Sequence, residues 1–310
     1  MSTAHTASSA TRNPDTRLSI GMIGLGNMGT PMALNLLAAF PGSLTVTARS
    51  RDRAAAALSA GAAWADTPAE IARASDVVIL MVPDLPQVDE LLFAEGGLTE
   101  APTTCVVVVC SSVSPTGIRT TDERLRQQTD GRMRIVDAPV SGGTEGAAAA
   151  TLSIMVGGGE ADVATALPIL AACGTPVHLG PLGSGDIAKA CNQLIVAATM
   201  AAVSEASVIA ERSGLDLDAL LTLLQGGYAG SRVLETKKDR LVERDYSPSG
   251  AARYMVKDLS FAHAAAVETA TTAPVLDALR AQFDGLVAAG LGDDDLAVIH
   301  RYISSPEQPR

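Results

Sequence analysis

The sequence predicts an α/β domain with a mainly parallel, doubly wound sheet, followed by an all-helical domain that one long helix joins to it. Up to about residue 182, short apolar runs that end in Pro, Ser or Gly alternate with Ala-rich segments of helical spacing. Strands that alternate with helices favour a parallel sheet covered on both faces. From Asp186 onward only helical spacing occurs, which predicts a helical second half.

The boundaries follow from these patterns. Residues 1–16 are rich in Ser, Thr and Ala and are expected to be a disordered tail, residues 17–182 form the α/β domain, and residues 183–310 form the helical domain. Strands are predicted at 18–23, 44–48, 76–82, 105–110, 134–137 and 152–156, with 176–179 ending a further strand. Helices are predicted between them at 30–39, 53–60, 68–73, 87–92, 114–128 and 161–172.

The joining helix is predicted over residues 185–213, and Gly214 ends it. At 1.5 Å per residue it is about 42 Å long, enough to leave the first domain and form the spine of the second. Further helices are predicted at 218–224, 230–241, 257–269, 274–289 and 295–303. This second domain leaves an apolar stripe for another subunit, so we expect a homodimer or homotetramer through the helical domain.

Composition excludes several classes of function. The formal net charge of −11 argues against nucleic acid and against an anionic membrane as partners, because both need a basic patch. The four cysteines form no Cys-x-x-Cys pair and the four histidines are scattered, so neither a metal site nor a disulfide framework is predicted. No signal peptide is recognisable, and the expected location is cytoplasmic.

A glycine turn follows the first predicted strand without a gap, and a helix follows the turn. The turn is Gly24-Leu25-Gly26-Asn27-Met28-Gly29. Its first glycine permits a tight turn, its second lets backbone amides approach a pyrophosphate, and its third lets helix and strand pack closely. In this context the pattern predicts a Rossmann domain that binds a dinucleotide; the alternative is a glycine-rich turn without a cofactor.

Cofactor choice is expected to be decided at the end of the second strand. Dinucleotide sites selective for NAD place an acidic residue there for the ribose 2′-hydroxyl, whereas this chain has Ala48. Arg49, Ser50 and Arg51 follow at once and can accommodate a 2′-phosphate. We therefore expect NADP(H) to be preferred, with NAD(H) possible; the alternative is a solvated basic turn.

Two further strand ends are expected to border the cofactor cleft, because parallel sheets bind ligands beyond the carboxyl ends of their strands. They are Val82-Pro83 and Ser111-Ser112. Each pair could also be a simple turn.

The segment Gly183-Ser184-Gly185-Asp186-Ile187-Ala188-Lys189-Ala190-Cys191-Asn192-Gln193 is the candidate centre of chemistry. Lys189 precedes the apolar run 194–210, and burial lowers a lysine pKa toward the range useful for proton exchange. Asn192 and Gln193 lie one helical turn on and can hold the same ligand. The alternative is an ordinary helix with a lysine near its start.

Together with Asp137-Ala138-Pro139-Val140-Ser141-Gly142-Gly143 and Lys257-Asp258-Leu259, these motifs resemble the β-hydroxyacid dehydrogenase family over nearly the whole chain after residue 17. The resemblance implies that Lys189 is the general acid and base, and that Lys257 reaches the cofactor. Ser141, Gly142 and Gly143 form a turn whose hydroxyl and amides can converge on a substrate carboxylate, or one that simply closes a strand.

Within the family, Asn192-Gln193 and the segment Gly226-Gly227-Tyr228-Ala229-Gly230-Ser231 look most like members that reduce tartronate semialdehyde to D-glycerate. Relatives that act on 3-hydroxyisobutyrate more often carry two asparagines in place of Asn192-Gln193, and they remain the alternative. Two others remain: a non-catalytic dinucleotide-binding subunit, and an imine reductase, a class that usually lacks this lysine. The expected partner is a small carboxylate substrate, and no metal is expected.

Overall fold

Strands and helices alternate in the first part of the chain, and only helices follow, in a computed structural model that describes residues 18–305. The strands are β1 (Ile20–Ile23), β2 (Leu44–Thr47), β3 (Ala63–Trp64), β4 (Val77–Leu80), β5 (Cys105–Val109), β6 (Met133–Asp137), β7 (Val140–Ser141), β8 (Leu152–Gly157) and β9 (Gly174–Gly180). The predicted tail, residues 1–16, lies outside the described residues.

Seven helices accompany these strands in the described part of the chain: α1 (Gly29–Ala39), α2 (Ala55–Ser59), α3 (Pro68–Ala74), α4 (Leu85–Phe93), α5 (Pro115–Gln128), α6 (Gly143–Ala148) and α7 (Glu160–Leu170). After them come α8 (Ser184–Arg212), α9 (Leu217–Gln225), α10 (Arg232–Glu243), α11 (Tyr254–Glu268), α12 (Pro274–Ala288) and α13 (Val298–Ser304).

The sheet has the strand order β3-β2-β1-β4-β5-β6-β8-β7, with β9 paired to β8. All pairs from β3 to β6 are parallel, whereas β8 is antiparallel to β6 and β7. Alternate strand residues enter two apolar clusters: Met22 and Ile79 lie in one, Ile23 and Leu80 in the other. Because successive strand residues point to opposite faces, both faces of the sheet are covered. The predicted doubly wound, mainly parallel sheet is confirmed.

Because the central strands end in register, the residues that follow them lie along one edge of the sheet. Ile23, the last residue of β1, pairs with Thr47 of β2 and with Leu80 of β4, and the pairing continues through Val109 to Asp137. The residues that follow these strand ends are Gly24, Ala48, Met81, Cys110 and Ala138. This carboxyl edge is where the sequence places the cofactor cleft.

The long helix α8 begins just after Gly183, whose φ of +92° strongly favours glycine. It ends at Arg212, and Gly214, with φ +77°, follows the last turn. It differs from the predicted 185–213 by one residue at each end. By length and composition alone α8 could cross a membrane. It instead packs against β8 and against α10, α11, α12 and α13, as the central helix of the helical part.

Helices α10, α11 and α13 begin two or three residues away from their predicted starts. Helix α10 begins at Arg232 because the Ser231 hydroxyl caps it, accepting a hydrogen bond from the Leu234 amide at 3.1 Å. Helix α11 begins three residues before the predicted Lys257. Helix α13 begins after the predicted Asp295, whose buried carboxylate instead binds Lys237 at 2.7 Å.

Strands β3 and β7 were not predicted. Each has only two residues, too few to show an apolar run. The helical part has its own apolar cluster, from Ala190 to Ile299. The domain boundary at residues 182–183 stays a prediction.

Candidate active site

The glycine loop between β1 and α1 depends on the absence of side chains at two positions. Gly24 has φ +101°, and a Cβ there would collide with the Met81 carbonyl oxygen of β4's end. A Cβ at Gly29 would collide with the Gly24 carbonyl oxygen. Both glycines therefore allow the loop to lie against the sheet and the helix to begin close to it.

Gly26 is different, because a Cβ there would meet no protein atom within 4 Å. It is exposed, as is Asn27, and α1 begins at Gly29, three residues after Gly26. An open glycine beside a helix N-terminus leaves room for a diphosphate and offers amide donors to it. The residues Gly24-Leu25-Gly26-Asn27-Met28-Gly29 thus fit a dinucleotide.

The tip of β2 lies beside this loop. Ala48 follows Thr47, the partner of Ile23, so no carboxylate stands at the position that would meet a ribose 2′-hydroxyl. Arg49, Ser50 and Arg51 are all exposed there. The Arg51 guanidinium lies 5.4 Å from the centre of the Trp64 ring, a stacking contact that gives it a structural role as well.

The residues that follow β4 and β5 are joined by a hydrogen bond from a backbone amide to a side chain. The Val82 amide donates to the Ser111 hydroxyl at 3.2 Å, and Pro83 follows exposed. Lys257 of α11 donates from its Nζ to the Ser112 carbonyl oxygen at 2.8 Å. The helical part therefore reaches the cofactor edge through Lys257.

Lys189 lies on the second turn of α8, half-buried, and its Nζ donates to the Val140 carbonyl oxygen at 2.9 Å. Burial lowers the pKa of Lys189 to about 8; the nearby Asp258 carboxylate raises it, and the Lys257 ammonium lowers it. A lysine of this kind can both give and take a proton near neutral pH.

The turn after Val140 follows directly on the hydrogen-bond partner of Lys189. Ser141 ends β7, and Gly142 and Gly143 follow with φ of +139° and +66°, conformations that disfavour any other residue. Both glycines are exposed. The Ser141 hydroxyl lies 3.5 Å from Asn192 Oδ1, so the turn meets α8.

Asn192 and Gln193 extend this contact toward α11. Asn192 Nδ2 donates to Gln193 Oε1 at 3.0 Å, and Gln193 Nε2 donates to Asp258 Oδ2 at 2.6 Å. Asp258 also pairs with Lys257 at 3.0 Å. A cleft between the two parts of the chain is lined by Ser112, Val113, Asp186, Lys189, Ala190, Gln193, Asp258 and Phe261.

Sequence reasoning gave no role to three acidic residues of the site. Asp137, at the end of β6, accepts hydrogen bonds from the Gly183 and Asp186 amides at 2.8 Å each and so fixes the start of α8. Asp186 accepts from the Val113 amide at 3.1 Å. Burial raises the pKa of both carboxyls, and the nearby Asp137 carboxylate raises that of Asp186 further. Asp258 is the third.

The sequence position of Asp137 could have indicated its role, because a buried carboxylate at the end of an apolar strand must accept hydrogen bonds. One other sequence feature lies away from the cleft. The segment from Gly226 to Ser231 joins α9 to α10 and does not line the cleft, and its Tyr228 is fully exposed. Among residues 18–305, no cluster of three or more His, Cys, Asp or Glu could hold a metal ion.

A glycine loop that fits a dinucleotide, beside a cleft with a lysine of lowered pKa, defines the class as an NAD(P)-dependent oxidoreductase. Comparison with known families agrees: residues 19–183 match the NAD binding domain of 6-phosphogluconate dehydrogenase. Residues 183–303 match the family described as NAD-binding of NADP-dependent 3-hydroxyisobutyrate dehydrogenase. The chain belongs to the β-hydroxyacid dehydrogenase family, whose members are NAD(P)-dependent oxidoreductases.

Individual relatives cover nearly the full chain. The 2-hydroxy-3-oxopropionate reductase of Escherichia coli K12 is 38% identical over 88% of this chain and 92% of its own length. The NAD-dependent L-serine dehydrogenase of Pseudomonas aeruginosa is 34% identical, over 91% and 96%. The structure of 3-hydroxyisobutyrate dehydrogenase from Mycobacterium tuberculosis with L-serine has a TM-score of 0.79 at 30% identity, covering 94% of this chain and 100% of that one.

Proposed function

We propose that this protein reduces tartronate semialdehyde to D-glycerate with NADPH as the preferred reductant, and that Lys189 is the proton donor. The observation that carries the proposal is Lys189 itself: half-buried at the cleft, with a pKa of about 8 and its Nζ 2.9 Å from the Val140 carbonyl oxygen. That placement holds an exchangeable proton beside the turn that offers amides to a carboxylate.

The chain's own residues divide the work. Lys189 protonates the carbonyl oxygen of the substrate during reduction and takes the hydroxyl proton in the reverse direction. The nicotinamide cofactor, when bound, supplies or accepts the hydride. The Val140 carbonyl oxygen keeps the Lys189 ammonium on the substrate side before the substrate arrives.

The substrate carboxylate is assigned to the turn Ser141-Gly142-Gly143. Its two glycines have positive φ and are exposed, so successive amides can point into one concavity. Asn192 and Gln193 complete the polar wall of the site. Lys257 connects this wall to the cofactor edge through the Ser112 carbonyl oxygen.

The finer choice of substrate rests on polarity. Lys189 and Gln193 line the cleft with hydrogen-bond donors, which suit a compact, doubly oxygenated acid better than a branched apolar one. The 38% identity to the E. coli reductase supports the same choice. The second candidate is 3-hydroxyisobutyrate, favoured by the family match of the helical part and by apolar Val113, Ala190 and Phe261 in the lining.

Cofactor preference rests on the tip of β2. Ala48 leaves the tip without a carboxylate, and Arg49 and Ser50 are exposed beside the glycine loop, where a 2′-phosphate would be accommodated. Arg51 should contribute less to binding of the 2′-phosphate, because its guanidinium stacks on Trp64. NADP(H) is therefore the proposed cofactor, with NAD(H) accepted at lower efficiency.

Assembly is proposed to occur through the helical part. Ile195 and Ile209 of α8 are 65% and 67% exposed, and Leu223 of α9 is 74% exposed. Exposed apolar side chains of this size favour an interface with a second copy of the chain. Light scattering after gel filtration tests this, with a mass of two or four chains as the expected result and a monomer as the contradicting one.

The direct test of function is kcat/KM for a panel of acids with both NADPH and NADH. The panel contains tartronate semialdehyde and methylmalonate semialdehyde for reduction, and 3-hydroxyisobutyrate and L-serine for oxidation. We expect the highest kcat/KM for tartronate semialdehyde with NADPH. A cyclic imine in the same panel tests imine reduction, and absence of turnover for every compound would indicate a non-catalytic dinucleotide-binding subunit.

A further inference from the structure

An unbroken series of side-chain contacts crosses the site from α11 to β7. Asp258 on α11 accepts from Gln193 Nε2 at 2.6 Å, and Gln193 Oε1 accepts from Asn192 Nδ2 at 3.0 Å. Asn192 Oδ1 lies 3.5 Å from the Ser141 hydroxyl. Its two end contacts join residues that are distant in the chain. Gln193 and Asp258 are 65 positions apart, and Ser141 and Asn192 are 51 positions apart.

The Asp258 carboxylate determines the orientation of the Gln193 and Asn192 carboxamides. A carboxylate accepts hydrogen bonds and donates none, and Asp258 is already paired with the Lys257 ammonium at 3.0 Å. The Gln193 carboxamide must therefore turn its NH2 group toward Asp258 and its oxygen toward Asn192. That in turn directs the Asn192 NH2 group to Gln193 and the Asn192 oxygen to Ser141.

Gln193 is buried, with 9% of its surface exposed, and it occupies the middle of the series. Its carboxamide contacts a helix on one side and its own neighbour Asn192 on the other. An asparagine is one methylene shorter, so from the same backbone position it would not reach both partners. The bridge thus requires glutamine at this position.

We infer that Gln193 is a positioning residue: it serves the substrate by fixing the carboxamide of Asn192 in one orientation, and Asp258 anchors it. The inference rests on the proposed function, because it concerns the substrate side of the same cleft. It makes Gln193 a determinant of how the acid is held, separate from the proton donor Lys189. A change at Asp258 should then alter the contact between Asn192 and Ser141, because Gln193 connects them.

The test begins with Gln193→Asn, which keeps a carboxamide and shortens it. The expected result is a rise of about tenfold or more in KM for the acid, because Asn192 is no longer held in one orientation; this is about the effect of losing one hydrogen bond to a charged group. The Kd for NADPH should be unchanged. The pH dependence of the reaction should also stay unchanged, because Lys189 is untouched. Gln193→Glu should raise KM further, since it directs a second carboxylate at Asp258. The matched control is Gln127→Asn on the exposed side of α5, which should leave KM unchanged.

A double-mutant cycle with Asp258→Asn identifies the bridge itself. Asp258→Asn should raise the acid KM in the wild-type background, and this rise should shrink at least severalfold in the Gln193→Asn background. Urea unfolding of the same four proteins gives a readout independent of activity, and it should show the same non-additivity. It also shows whether each variant is folded.

Two results would overturn the inference while leaving the proposed function intact. The first is a Gln193→Asn protein that is folded and active with the wild-type KM. The second is a pair of KM effects that simply multiply in the double variant. If instead the wild-type protein reduces none of the acids, the proposed function fails, and the positioning role fails with it.

Discussion

The Nζ atom of Lys189 and the carbonyl oxygen of Val140 are joined by a 2.9 Å hydrogen bond between α8 and the short strand β7. This contact brings Lys189, the proposed proton donor, to the residue that precedes the Ser141-Gly142-Gly143 turn. The two parts of the chain thus meet at the proposed site, and the position of α8 decides the position of the lysine.

Reduction should depend on pH through Lys189. Burial lowers the pKa of this lysine to about 8, so the ammonium form that donates the proton predominates below pH 8. We expect kcat/KM for reduction to be level at lower pH and to fall about tenfold per unit above pH 8, and kcat/KM for oxidation to rise over the same interval. A profile of both directions between pH 6 and 10 measures this, and a level profile for reduction across about pH 8 would contradict the assignment.

Cofactor preference should depend on Arg49. If this exposed residue binds a 2′-phosphate, Arg49→Ala should lower kcat/KM with NADPH more than with NADH, by about 1.5–3 kcal/mol for a charge-assisted contact. Steady-state kinetics with each cofactor measure the difference. Arg53→Ala, an exposed arginine on the same turn, is the matched control and should affect both cofactors equally. Equal losses for Arg49→Ala with both cofactors would show that the basic turn is only solvated.

Substrate choice should follow the polar wall of the cleft. A site that hydrogen-bonds a 2-hydroxyl leaves its own buried groups unpaired when the hydroxyl is missing. Tartronate semialdehyde should therefore be reduced at least about tenfold more efficiently than methylmalonate semialdehyde, a modest ratio for such sites. Competition between the two in one assay checks this. The reverse order would identify 3-hydroxyisobutyrate as the preferred substrate and would leave the family and cofactor class unchanged.

Stability should depend on Asp137. Its carboxylate accepts from two buried amides, those of Gly183 and Asp186, at the start of α8. Asp137→Asn replaces one acceptor by a donor and leaves one amide unpaired, so the free energy of unfolding should fall by about 1–3 kcal/mol. Urea unfolding measures the change. Asp284→Asn, on the exposed side of α12, is the control; equal stability of both variants would mean that Asp137 does not hold the helix.

Much of the fold could be predicted because its signals are local. The run from Ile20 to Ile23 followed by the glycine loop fixes a strand, a turn and a helix in consecutive residues. Helix α8 was predicted within one residue because Gly183 and Gly214 bound a long helical pattern. The strands β3 and β7 could not be predicted, since two residues become a strand only by pairing with a neighbour.

Candidate site residues could be proposed from the sequence where a motif shows them, but not where their contacts depend on tertiary structure. Lys189 and the Ser141 turn could be recognised from their sequence surroundings, and the structure brings them together. The roles of Asp137 and Asp258 depend on partners 46 and 65 positions away in the chain. Such contacts have no local pattern, because they arise only when α8 and α11 pack at the sheet edge.

The central claim is that Lys189 is the proton donor of an NAD(P)H-dependent reduction, and its most direct test is Lys189→Met. This variant keeps an unbranched side chain and removes the ammonium, so NADPH binding, followed by its fluorescence, should be unchanged. The measurement is kcat for the preferred acid, which should fall by about 10² or more, the usual contribution of a positioned general acid. Lys238→Met, at a lysine of α10 that pairs with Asp218, serves as the control and should retain wild-type kcat. A Lys189→Met protein with near wild-type kcat would contradict the account.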